Sequence, residues 1–408
     1  MTRRLLVIAA SVLVLAGCAH NESGKAEKPA GGPSPGAVEV NLLGSGNFPV
    51  KPMGPLGTAG APLTGALIDA RRMADYVVGP WEVDPRMVLP SPSRAMVISD
   101  ATSLGLVLPI PVANTVKSHN LIYGFSSDRQ DPSQWRLMNA VLRFADSASA
   151  SAAAADLSQA VLALSPTLDH AVPIPGHPDA QANTYSYNLN TSPDQPVTVY
   201  SFTPHGSYVL CQLVYAPQQD QAAAAVGATL DAQQPRIDQF VPTDPAQFAS
   251  LPVDPSGLLS HTMSAPTYPD PPGIKPHDPK IGTYLPRAAL HLQDDPAQME
   301  PAFTAAGLQA MTFNQTTIYR VRDAAGASKL VSDLAAVTAT TEVSAHPANA
   351  VDFMPGSQCV QSERNPSADD SMYYCFAALN NLVIAVQDPN PTGARQETAA
   401  QYKMLLAP

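Results

Sequence analysis

The sequence predicts an α+β protein of two related lobes, each a set of helices packed on an antiparallel sheet, joined by Pro-rich irregular segments. Three observations carry this expectation. One pattern, strand–helix–strands–helix, occurs twice, from Leu137 and again from Thr316. A Pro-dense stretch at 242–283 separates the copies. The chain has 408 residues, enough for two or three domains of ordinary size.

In the first copy a strand (LMNAVLRF, 137–144) leads to an Ala-rich helix at 147–164. Strands at 183–189 and 197–203, a turn at Pro204-His205-Gly206 and a strand at 207–215 follow, then a helix near 218–233 that should end before Pro235. In the second copy a strand (316–322) leads to a helix (327–338). A strand at 372–378, a turn at Asn380-Asn381, a strand at 382–387 and a helix near 394–406 complete it. Asn tolerates positive φ, which suits a tight hairpin. Ahead of the second copy, AALHL (288–292) reads as a short strand. Asp295 as N-cap, Pro296 at the first position and Gly307 past the end frame a helix at 296–306.

Upstream of both copies, GALIDARRMADYVVGPW holds the sharpest local signal. Leu67, Ala70, Met73, Ala74 and Val77 recur at helical spacing. Asp69 with Arg72 and Arg71 with Asp75 read as solvated pairs on the other face. Gly79-Pro80 reads as a helix stop, with Gly79 in the left-handed C′ position. Trp81 should pack back on the helix. Arg71, Asp75, Trp81 and Glu82 form the candidate ligand surface at its end.

At the N-terminus, Arg3 and Arg4 precede an apolar run of secretory length, Leu5 to Leu15, and then Leu15-Ala16-Gly17-Cys18. The run is about half of what a membrane-spanning helix needs. LAGC resembles the lipobox of bacterial lipoproteins, in which the Cys thiol takes a diacylglycerol and the peptide is cut before it. The resemblance implies lipidation at Cys18, loss of residues 1–17, and a membrane partner reached through acyl chains on the extracytoplasmic face. Residues 18–40 are rich in Gly, Pro, Ser and charge and read as a flexible tether. The expected division is therefore 1–17 leader, 18–40 tether, 41–241 N-terminal lobe, 242–283 crossover and 284–408 C-terminal lobe.

Charge excludes one class of partner. Loss of Arg3 and Arg4 with the leader takes the net charge from −11 to −13. A chain this acidic is repelled by phosphate polymers, so nucleic acid is excluded. Pro supplies 42 residues, about twice the usual share of roughly 5%, which favours stiff connections between compact pieces. In an exported, oxidising setting Cys359 and Cys375 should form a disulfide. Cys211, within the apolar strand YVLCQLVY, reads as a buried structural thiol.

Motifs for chemistry are few. No H-E-x-x-H or C-x-x-C occurs. Asp169, His170, His177 and Asp179 are spread over a Pro-rich loop and read as solvated. Gly32-Pro33-Ser34-Pro35-Gly36 matches G-x-S-x-G but lacks the flanking strand and helix of a nucleophile elbow. Gly44-Ser45-Gly46 lacks the rest of a dinucleotide fingerprint. Eight Asp residues precede Pro (Asp84, Asp131, Asp244, Asp254, Asp270, Asp278, Asp295 and Asp388) and read as turn or helix starts. No metal or cofactor is expected, and no catalytic residue is assigned.

The lipobox, the Pro/Gly-rich tether, the block running through GPWEVDP (65–85) and PRAALHLQDDP (286–296) together resemble a family of secreted actinobacterial lipoproteins of unknown function. The resemblance implies location and a two-part α/β body, and no activity. The expectation is a non-catalytic envelope protein that binds an unknown ligand or protein partner between its lobes. Rival readings are an envelope hydrolase whose active-site residues are distant in sequence and a structural scaffold lipoprotein.

Overall fold

A computed structural model describes residues 37–186, 196–264, 280–365 and 370–407. The expected leader, Cys18 and most of the expected tether lie outside the described residues, as do parts of the strand expected at 183–189 and of the crossover.

The chain opens with α1 (Pro62–Met73), a 3-10 turn and a short α2 (Pro80–Val83). The first sheet then forms from β1 (Leu89–Ile98), β2 (Leu121–Gln130), β3 (Arg136–Phe144), β4 (Ala171–Val172), β5 (Gln181–Tyr185), β6 (Val197–His205) and β7 (Tyr208–Ala216). Two short helices, α3 (Ala101–Leu104) and α4 (Ile110–Ala113), and a 3-10 turn lie between β1 and β2. α5 (Ser147–Leu164) follows β3, and α6 (Gln219–Ile237) follows β7.

The second sheet comprises β8 (Gly282–Tyr284), β9 (Ala310–Phe313), β10 (Thr317–Arg320), β11 (His346–Ala348), β12 (Gln358–Asn365), β13 (Asp370–Leu379) and β14 (Leu382–Asp388). Here α7 (Pro286–Leu290) and α8 (Pro296–Ala306) lie between β8 and β9, α9 (Ala324–Thr341) follows β10, and α10 (Pro391–Leu406) follows β14.

Both sheets are antiparallel and seven-stranded. The first runs β1-β2-β3-β7-β6-β5-β4 and the second, read from its far end, β8-β9-β10-β14-β13-β12-β11. These are the same order, with helices inserted at the same three points. The two lobes are one topology used twice, as the repeated pattern in the sequence predicted.

Each sheet has helices on both faces. In the first lobe, α5 packs on Met138, Ala140, Leu142, Cys211 and Phe202. The other face meets α1 and α6 and opens into a larger core shared with the second lobe. In the second lobe, α9 faces that shared core, while α10 covers Cys375, Ala377, Ile384 and Val386. The disulfide joins Cys359 to Cys375, directly opposed on β12 and β13. Cys211 is free and fully buried, and burial pushes its thiol well above the usual range.

Several local expectations are corrected. AALHL is not a strand: Pro286 starts α7, and Asp75 from the first lobe caps it by accepting the N–H groups of Arg287 and Ala288. Gly79 is not left-handed (φ −75°). The first helix ends at Met73, and Gly79 instead begins α2, where a β-carbon would lie 2.3 Å from the Trp81 ring. α6 runs through Pro235 to Ile237 rather than stopping before it, because the lost hydrogen bond falls in the last turn, where Ile237 is buried and Arg236 pairs with Glu82. α8 matches its frame, with Gly307 left-handed at its C-cap.

The described part of the crossover is ordered against both lobes. Residues 245–250 lie on α1 so closely that a β-carbon at Gly65 would sit 2.1 Å from the Phe248 carbonyl oxygen. Further on, the Met263 N–H donates to Gln401 of α10. Residues 38–53 also dock on the second lobe, not the first. The Glu39 N–H donates to the Phe353 carbonyl, Lys403 of α10 donates to the Leu43 carbonyl, and Phe48 and Val50 pack on Ala400 and Met404.

Candidate cleft at the lobe junction

In the Asp69–Arg72 pair only Arg72 is exposed to solvent. Asp69 is fully buried and joins Arg72, Arg143, the Tyr123 hydroxyl (2.5 Å) and the Thr243 N–H (3.0 Å). Its partners come from β2, β3 and the crossover, so the acid that the helix pattern placed outside anchors the inner face of the first sheet. A second buried amide network links Asn139, Gln212 and Gln233 to the backbone at Tyr76 and Val78. Both fix the block that carries Trp81.

Trp81 is buried edge-on against His291, 5.1 Å between ring centroids, with the Arg129 guanidinium 5.7 Å from its own ring. Arg129, from β2, is 1% exposed and donates to four carbonyls: Val88 at 3.2 Å, Asp294 at 3.1 Å, His291 at 2.8 Å and Gln293 at 2.7 Å. Three of these belong to the segment linking α7 to α8, so one arginine clamps the lobes together. Burial lowers its pKa to about 10. His291 is fully buried too. Its Nε2 donates to the Ala74 carbonyl (3.2 Å), which can only accept, so Nδ1 takes the Ser127 hydroxyl proton (2.8 Å). Burial, then the neighbouring Arg129 charge, depress its pKa to about 3, and the ring stays neutral.

Beside this clamp a cleft of about 440 Å³ opens over the second sheet. Its floor is a cross-strand row, Phe313–Thr317–Ala385–Phe376, with Met311 and Tyr319 in the next. Leu334 and Thr338 of α9 form one wall. Arg94, Ala95 and Arg129 of the first lobe and residues 291–294 form the other. Arg94 pairs with Asp294 at 2.8 Å, and Arg364 donates to the Tyr374 hydroxyl at 3.1 Å. Behind the floor Gln315 donates to Glu397 at 2.8 Å. Glu397 is buried, which raises its pKa to about 7.

The four residues of the candidate ligand surface fall elsewhere. Arg71 is buried against Gly282 of β8, Asp75 caps α7, Trp81 lies in the junction, and Glu82 pairs with Arg236 at 2.7 Å. None of them lines the cleft. The loop histidines serve structure: His177 contacts Asp231 at 3.0 Å, and His170 contacts Gln219 at 2.9 Å. Among the described residues no group of three or more His, Cys, Asp or Glu could hold a metal ion.

Sequence reasoning expected binding between the lobes but missed the residues that line the cleft, Arg94, Arg129 and Arg364 among them. One signal pointed near it. The two blocks that carry the family resemblance, GPWEVDP and PRAALHLQDDP, meet where Trp81 packs on His291.

No curated protein matches the chain. Two family models do: the N-terminal domain of unknown function DUF7373 over residues 56–253, and its C-terminal counterpart over residues 258–407. Together they cover most of the chain and each takes in one of the two sheets, and the protein therefore belongs to the DUF7373 family.

Proposed function

We propose that this is a lipid-anchored protein of the extracytoplasmic envelope that binds a ligand, without transforming it, in the cleft at the lobe junction. The observation that carries the reading is the uncovered strip of sheet between α9 and the first lobe, in a volume typical of ligand sites. Domain junctions favour such sites. The chemistry of the lining agrees with binding: its described residues include no Ser or Cys, and its histidine, His291, has both ring nitrogens engaged.

Native mass spectrometry of residues 19–408 purified from the original host tests the cleft. The expected result is a co-purified small molecule that is lost from Thr317→Trp, a substitution that fills the floor. A molecule retained by that variant would move the site elsewhere. The anchor has its own test. Cys18→Ala should leave the protein folded and release it from the membrane fraction, and a variant still bound there would sink the lipidated reading. A stoichiometric adduct with a serine-hydrolase probe would favour an enzyme instead.

A further inference from the structure

We propose that the cleft takes an amphiphile with an anionic head, its phosphate or carboxylate set near Arg129 and its apolar body laid along the open sheet. This rests on reading the cleft as a ligand site and adds the class of ligand.

Charge is the first observation. The lining holds four cations (Arg94, Arg129, Lys280, Arg364) and two carboxylates (Asp294, Glu342), an excess of two positive charges in a chain whose net charge is −11. A concave patch opposite in sign to its protein focuses field on ligands of the protein's own sign.

The second observation is the state of Arg129. Its hydrogen bonds run to four backbone carbonyls, and its Nε–H, also buried, has no acceptor. Asp294, Asp295 and Asp128 lie near enough to favour its charge, yet its hydrogen bonds go to carbonyls and desolvation still dominates, a cost that an anion bonded in the cleft would offset. Arg94 and Arg364 stand at other points of the lining, so an acid entering the cleft meets cations from both lobes.

The third observation is the floor. Met311, Phe313, Leu334 and Phe376 supply an apolar part of the lining, interrupted by Thr317 between Phe313 and Ala385. An inorganic anion would leave most of the volume, and all of this surface, wet. A purely apolar ligand would leave the two-charge excess of the lining uncompensated. Only a molecule with both parts satisfies both halves of the lining.

Titration calorimetry on residues 19–408 tests this with four probes: dodecyl phosphate, dodecyl maltoside and dodecyltrimethylammonium, each below its micellar concentration, and inorganic phosphate. One dodecyl phosphate should bind per chain, about tenfold or more tighter than any other probe, and weaken as salt rises. Arg94→Gln, which removes a cation close to Arg129, should weaken it by about tenfold, and Thr317→Trp should abolish it. Ala385→Leu gives a milder obstruction should the Trp disturb folding. Equal affinity for the three dodecyl probes, lost in the obstructed variants, would overturn the acidic head and leave the cleft standing. Phosphate binding as tightly as dodecyl phosphate would overturn the apolar body. Binding untouched by obstruction would overturn both this proposal and the cleft reading.

Discussion

In the first lobe the row Ser126–Ala140–Cys211–Phe202 crosses four strands and is fully buried. α5 covers it together with Leu104, Val107, Leu108, Val112 and Val116 from the segment between β1 and β2. In the second lobe the corresponding strands carry Phe313, Thr317, Ala385 and Phe376, and only Phe376 is buried. There the equivalent insertion, α7 and α8, packs toward the shared core and the first lobe, leaving the row open. The two sheets share one topology, and they differ in where one helical insertion packs: one is a sealed core and the other holds a cleft. A pocket can thus be created by withholding a cover, with no change in strand order.

This comparison can be tested by disturbing each lobe in turn. The largest effect should come from Asp69→Ala, which leaves Arg143 buried without its acid. Denaturant unfolding should show a loss of about 3–5 kcal/mol, and a loss below about 1 kcal/mol would mean the network is not needed to hold the first lobe. Next, Leu104→Ala in the sealed lobe should cost about 2–5 kcal/mol. Phe313→Ala on the open floor should cost less than half as much, since that side chain is already partly exposed; equal costs would break the contrast. Cys359→Ser with Cys375→Ser should cost about 3 kcal/mol for a link across 16 residues, and it should lower the unfolding midpoint without abolishing the first lobe's native near-UV signal.

The smallest effect expected is in pH dependence. Glu397 has a raised pKa, so its contribution is fully present below the ordinary value of 4.5 and is lost as pH rises through about 7. His291 has a lowered pKa, so its contribution is present above 6.5 and is lost as pH falls toward 3. Glu397→Gln should therefore stabilise the protein at pH 8 by about 1–3 kcal/mol and leave the acid-side loss intact. Melting temperatures measured from about pH 4 to 9 would show this, and an unchanged alkaline limb would remove Glu397 from the account.

Much of the fold was legible because its signals are local. Asp295, Pro296 and Gly307 specify both ends of α8, and Asn380 adopts the positive φ (53°) its hairpin needs. The repeated strand–helix order gave the shared topology of the two lobes. The failures share one cause, partners distant in sequence. Asp69 looked solvated because Tyr123, Arg143 and Thr243 lie 54 to 174 residues away. A short apolar run does not by itself separate a strand from a helix, and AALHL became part of α7 and its C-terminal turn because Asp75, 212 residues before Arg287, caps that helix. β1 was hidden by its own prolines, Pro90 and Pro92, which an edge strand with a bulge can carry. The lining of the cleft was illegible since it draws on β1, β2, β9, β10, β13, β14 and α9 at once.

The docking of residues 38–53 on α10 has a mechanical consequence. Any pull transmitted along the preceding chain arrives first at the Lys403–Leu43 and Glu39–Phe353 contacts. Such a load would fall on the half of the molecule that holds the cleft and the covalent cross-link, and would reach the other half only afterwards.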